Sequence, residues 1–204
     1  MNLPNKITIT RICMIPVFAV LFYLTAIPCN YLIAAIVFVI AAFTDFLDGY
    51  LARSMHLVTN LGKFLDPIAD KVLVSTAFVF LLTRPMAFTV EPLGEWGSLA
   101  AGACVAIILG RELIISGFRM VAAGQNKVLA ADKLGKLKTV AQDAAIAVLI
   151  GCMPFLSEPL GKVAAYIGLA FFFLCTVLTV ASGLNYIIRN REVLRDKPKN
   201  TEEA

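Results

Sequence analysis

Apolar residues run through this chain in long blocks, without the strict alternation of half-buried strands. Six windows approach the roughly 20 residues that a membrane-crossing helix needs: about 10–28, 31–51, 64–83, 97–120, 138–156 and 162–188. Helix breakers and charges separate them, as at Pro28-Cys29-Asn30, Arg84-Pro85, Glu91-Pro92 and Ser157-Glu158-Pro159. The pattern predicts an all-α membrane protein with six transmembrane helices. Residues 1–11, with Pro4, Asn5, Thr8 and Arg11, predict a short interfacial helix ahead of the first span, or else a frayed basic start. The apolar stretch after Arg11 lacks a small-residue cleavage pattern, so it reads as a retained span, not a signal peptide. Residues 1–195 form one expected domain, and the polar stretch 196–204 an expected disordered tail.

Composition narrows the class. With 59% hydrophobic and 16% charged residues and a mean hydropathy of +0.83, the 204-residue chain is too apolar for an ordinary soluble domain. A net charge of +4 is modest and suggests no nucleic-acid partner, but its distribution is informative. If the six windows alternate in direction, all of the 18 Lys and Arg residues except Arg84 and Lys162 fall to one side. The excess of positive charge assigns that side, with both termini, to the cytoplasm. Five cysteines lie scattered in apolar sequence without a C-x-x-C pair, which suggests buried small hydrophobes in place of disulfides or a zinc site. The single histidine, His56, falls in a polar loop and reads as solvated.

The chemistry concentrates in four carboxylates. Asp45, Asp48, Asp66 and Asp70 are the only acids in the first 90 residues, and they lie in or against strongly apolar sequence. An ionised group at a helix centre in a bilayer costs about 2.5–3.5 kcal/mol on insertion scales, so such residues mark function. Spacings of three and four place each pair on one helical face. Four adjacent anions repel unless cations lie between them, and hard divalent ions prefer oxygen ligands. Two Mg2+ or Mn2+ ions held this way can neutralise a diphosphate during displacement at phosphorus. Gly49 and Ala52 are small enough for a ligand, or another helix, to approach the backbone. Arg53, eight residues after Asp45, can grip a phosphate or merely snorkel. Asp66 precedes Pro67, and a helix starting near residues 61–63 would place that proline close to its first turn.

Written out, Asp45-x2-Asp48-Gly49-x2-Ala52-Arg53-x8-Gly62-x3-Asp66-x3-Asp70 resembles the signature of the CDP-alcohol phosphotransferase family at every defined position. The resemblance implies that Asp45 and Asp66 bridge two metals, that Asp48 completes one, and that Asp70 ligates the other and acts as general base. It also implies that Asp48, Gly49, Ala52, Arg53 and Thr59 meet the CDP-diacylglycerol donor, with Asn5 and Thr8 contributing from the N-terminal segment. Thr8 and Thr59 read equally as ordinary interfacial polar residues.

A second cluster suggests the acceptor. Arg111 and Arg119 are eight residues apart on one helical face, and Lys133, Lys136 and Lys138 crowd the following segment. Arg111 could be neutralised by Glu112 or Asp143, but the whole cluster suits an acceptor that carries its own phosphate. The segments 4–8, 110–113 and 135–139 look like those of bacterial family members that use glycerol 3-phosphate. The reaction that the resemblance implies is transfer of a phosphatidyl group from CDP-diacylglycerol to glycerol 3-phosphate at the cytoplasmic face of a bacterial inner membrane, with a homodimer expected because members of the family commonly pair. Rival readings are another acceptor, inositol phosphate or phosphatidylglycerol, and, from a different class, a magnesium transporter.

Overall fold

The computed structural model describes residues 3–54, 60–124 and 133–191, with side chains for 6–44, 65–122 and 134–191. Among these residues the chain forms six α-helices and no strand: α1 (Leu3–Tyr23), α2 (Asn30–Ser54), α3 (Asn60–Thr83), α4 (Gly94–Gly124), α5 (Lys133–Cys152) and α6 (Pro159–Arg189). Short 3-10 turns follow α3 and α5, at Pro85–Ala87 and Met153–Phe155. Four stretches are long and apolar enough to cross a membrane: Lys6–Tyr23, Gly94–Ala122, Leu134–Phe155 and Pro159–Arg189. The chain is therefore a multi-pass membrane protein. The apolar stretch Asn30–Thr44 of α2 is shorter, and α3 carries Asp66, Asp70 and Lys71 in its first half.

The expected separate interfacial helix is not present, because residues 3–23 run as one helix. Pro4 stands in its first turn, where the missing N–H costs little. Polar residues of this segment also turn into the bundle instead of lying along a surface. Thr8 and Arg11 are buried, and Arg11 Nε donates to Thr44 Oγ1 on α2 at 3.4 Å. Pro67 differs from expectation as well: α3 starts at Asn60, so the proline lies in its interior, beyond the first turn. The cysteines divide. Cys152 and Cys175 are buried as expected, whereas Cys13 and Cys29 face outward. Cys29 occupies a left-handed conformation (φ 57°) in the α1–α2 turn, next to Asn30, whose side-chain amide donates to the Phe22 carbonyl at 2.9 Å and closes the end of α1.

α5 packs most extensively on α6, and α1 on α2, with α2 also against α5. In a bilayer, apolar burial between helices gains little, so close contact and dispersion carry the packing. Gly168 shows how close: a Cβ there would lie 2.9 Å from Leu149 Cγ and Cδ2. Away from the functional site, an aromatic cluster of Phe18, Phe22, Phe38 and Phe80 fills the space between α1, α2 and α3. Tyr23 and Thr83 hydroxyls, 2.6 Å apart, close that end. Of the Phe171-Phe172-Phe173 run, Phe172 is buried against Phe78 and Phe88, while its two neighbours are exposed. Trp96 is also exposed.

Candidate active site

Helix geometry places Asp66 and Asp70 one turn apart on α3, which stays helical through Pro67. The Thr8 hydroxyl of α1 donates to Asp66 Oδ1 at 2.6 Å, across 58 residues of sequence. A hydroxyl in that position fixes the carboxylate's orientation, as outer-shell partners do for ligating groups. Thr8 is thus joined to the acid motif itself. Of Asp45, Asp48, Gly49, Ala52 and Arg53, only the backbone, within α2, is among the described residues. The same holds for Asn5 in α1 and Lys133 in α5, while Thr59 and His56 lie outside the described residues. Among the described residues, no group of three His, Cys, Asp or Glu side chains comes together. The donor set itself, carboxylate oxygens in pairs at helical spacing with one already oriented by Thr8, fits a hard divalent cation.

Beside Asp70 opens a cavity of about 420 Å³. It takes Asp70 and Lys71 from α3, Arg111, Glu112, Ser116 and Arg119 from α4, Lys136, Lys138, Thr139 and Gln142 from α5, and Ser182 and Tyr186 from α6. Four of the five cations expected to form an acceptor pocket therefore line one space with Asp70. This volume suits a small ligand, since small-molecule sites run from about 300 to 1,000 Å³.

Lys71, Arg111, Arg119 and Lys138 are each held by a side chain of another helix. Glu112 is the hub: its Oε1 accepts from Arg111 Nη1 at 3.3 Å and from the buried Lys138 ammonium. The expectation that Glu112 could neutralise Arg111 matches this geometry, and Lys138 is its second partner. Arg111 Nη2 donates to Ser182 Oγ at 2.9 Å, and Gly183 lets α6 come that near, since a Cβ there would lie 3.0 Å from Arg111 Cγ. Arg119 Nε donates to the Tyr186 hydroxyl at 3.3 Å with its guanidinium carbon 5.4 Å from the ring centroid, within cation–π range. Lys71 donates to Ser116 Oγ, whose own hydroxyl donates to the Glu112 carbonyl at 2.6 Å. The cavity thus presents Lys71, Arg111, Arg119, Lys136 and Lys138 against two carboxylates, Asp70 and Glu112. Such a surplus favours an anion, and guanidinium forks match phosphate geometry.

Lys71, Ser116, Gln142, Ser182 and Tyr186 were not singled out by sequence. Lys71 follows Asp70 directly, and Ser182 and Tyr186 are polar residues four apart in an apolar helix, which is the signal that could have found them.

Comparison with known proteins is consistent with this arrangement. The family model for CDP-alcohol phosphatidyltransferase matches residues 1–188. A protein of Bacillus subtilis (strain 168) is 41% identical across 95% of this chain and 97% of its own length. One of Escherichia coli (strain K12) is 37% identical, covering 96% of this chain and 98% of its own. One of Salmonella typhimurium (strain LT2) is 38% identical with the same coverage, 96% and 98%. All three are named CDP-diacylglycerol–glycerol-3-phosphate 3-phosphatidyltransferase. A family match over nearly the whole chain, with the acid motif and its neighbouring cation-lined cavity, shows that this protein belongs to the CDP-alcohol phosphatidyltransferase family.

Proposed function

We propose that this protein transfers the phosphatidyl group of CDP-diacylglycerol to sn-glycerol 3-phosphate, giving phosphatidylglycerophosphate and CMP. The observation that carries the reading is the single cavity in which Asp70 faces Arg111, Arg119, Lys136 and Lys138. An acceptor with a phosphate at one end and a primary hydroxyl at the other spans such a site. The cations bind the phosphate and Asp70 accepts the proton of the hydroxyl. That oxygen forms the new bond to the phosphorus bearing diacylglycerol, and the bond to CMP breaks with its electron pair leaving on CMP. Two Mg2+ or Mn2+ ions held by Asp45, Asp48, Asp66 and Asp70 would supply the positive charge that a diphosphate and its leaving group require. Thr8 holds Asp66 in position for that role. Asn5, Asp48, Gly49, Ala52, Arg53 and Thr59 are assigned to the donor, and Lys133 to the acceptor's phosphate.

α2 and α3, of 25 and 24 residues, are long enough to join the four longer apolar stretches as spans, giving six. The excess of Lys and Arg on one side of the six spans read from the sequence supports a cytoplasmic position for the site, where a water-soluble acceptor arrives. A bacterial inner membrane and a homodimer complete the proposal. The test is CMP release by purified protein with CDP-diacylglycerol and Mg2+, offered glycerol 3-phosphate, inositol phosphate, phosphatidylglycerol or no acceptor. Release confined to glycerol 3-phosphate is expected. Equal or greater release with another acceptor overturns the assignment.

A further inference from the structure

We infer that Gln142 reads the secondary hydroxyl of the acceptor and so determines which phosphorylated alcohols the site accepts. The inference rests on the proposed reaction, and goes beyond it by naming the third point at which the acceptor is held. Gln142 is 3% exposed, yet it lines the cavity. Its Oε1 is buried and has no hydrogen-bond partner among the described residues. A buried amide oxygen left unsatisfied is costly, and native interiors rarely keep one without a reason. Val74 and Ile108, which line the same cavity, offer it no donor.

Register on α5 puts the amide where a ligand already held at the phosphate would bring a hydroxyl. Lys138 and Gln142 are four residues apart, hence on the same helical face, with Gln142 about 6 Å farther along the axis. Lys138 lies at the cationic end with Glu112 and Arg111, whereas Gln142 lies one turn deeper. Glycerol 3-phosphate has three distinct groups: a phosphate for the cations, a primary hydroxyl for Asp70, and a secondary hydroxyl between them. A hydroxyl both donates and accepts, so it pairs with the amide whichever end of the amide is presented. A neutral amide also suits a hydroxyl better than a further cation would, because it does not compete for the phosphate.

The experiment compares kcat/KM for sn-glycerol 3-phosphate with that for propane-1,3-diol monophosphate, which lacks only the secondary hydroxyl. It uses the full-length protein in lipid micelles with CDP-diacylglycerol and Mg2+, and follows CMP. The wild type is expected to favour glycerol 3-phosphate by roughly 10-fold or more, as expected when a site built for a hydroxyl meets a ligand without one. Gln142→Met, of similar volume and apolar, is expected to lose that preference to within about threefold by slowing on glycerol 3-phosphate alone. If this variant does not fold, Gln142→Asn, which withdraws the amide by one methylene, must narrow the ratio in the same sense. A wild type that uses both acceptors equally, or variants that slow on both while keeping the ratio, overturns the role of Gln142 and leaves the proposed reaction intact. A wild type that releases CMP with neither overturns both.

Discussion

Glu112→Gln should destabilise the empty protein, because the carboxylate is the shared counter-ion of two cations from separate helices. Its Oε1 lies 3.3 Å from Arg111 Nη1 and also holds the Lys138 ammonium, with side-chain exposures of 23% for Glu112, 17% for Arg111 and 6% for Lys138. At 3.3 Å the gross attraction is about 5 kcal/mol for an effective dielectric near 20, most of it offset by desolvation. Removing one partner of a buried pair costs about 3–5 kcal/mol, since the other charge is left uncompensated. The partial exposure of Glu112 puts this case at the lower end, about 3 kcal/mol. For a chain of this size each kcal/mol corresponds to about 2–4 °C, so the melting temperature should fall by about 6–12 °C. Lys138→Met should cost a similar amount by stranding the carboxylate between fewer cations. The double variant should then recover at least about 1 kcal/mol relative to the sum, because two neutral side chains replace a broken pair. Thermal unfolding in detergent, without substrates, measures all three. Falls under 2 °C in both single variants, or a double variant that melts where simple addition puts it, would refute the hub role of Glu112.

Three further outcomes follow from the same geometry. Thr8→Val removes the hydrogen bond to Asp66 Oδ1 and should raise the Mg2+ concentration for half-maximal CMP release about 10- to 100-fold; an unchanged metal titration would show that the contact orients nothing. Arg119→Met should raise KM for glycerol 3-phosphate about 10- to 150-fold, the equivalent of a lost charge-assisted bond of about 1.5–3 kcal/mol, while KM for CDP-diacylglycerol stays constant; a shift in the donor's KM alone would place Arg119 elsewhere. Gly168→Leu forces a side chain into Leu149, 2.9 Å from the position of its Cβ, and should cost about 1–3 kcal/mol; an unchanged melting temperature would mean that α5 and α6 separate freely.

Helix positions were legible because long apolar blocks ended at prolines, glycines and charges leave few alternatives. The acid motif was legible because charged residues in apolar sequence need a function. Which way each helix faces was much harder to read. Helices that are apolar nearly all round lack the polar stripe that reveals a buried face in a soluble protein. The pattern therefore gives no sign that Arg11 turns into the bundle, and the segment reads as an interfacial helix or a frayed basic start, with Thr8 tied to the donor site only through the family resemblance. For the same reason Ser182 and Tyr186, far from Arg111 and Arg119 in sequence, gave no sign of being their partners. The cations of α4 and α5 were recognisable as one group, because several positive charges close in sequence demand a common anion. Glu112 was visible as a neighbour of Arg111, but its bond to Lys138 depends on how α4 and α5 come together.

The central claim is that one cavity binds the acceptor's phosphate with its cations while Asp70 takes the proton. Asp70→Asn tests it most directly, with glycerol 3-phosphate binding measured by calorimetry and turnover by CMP release on the same preparation. The account predicts that turnover falls at least about 100-fold, the scale of a lost general base, while the variant still binds glycerol 3-phosphate. Turnover that persists, or an acceptor that no longer binds once Asp70 is neutral, would contradict it.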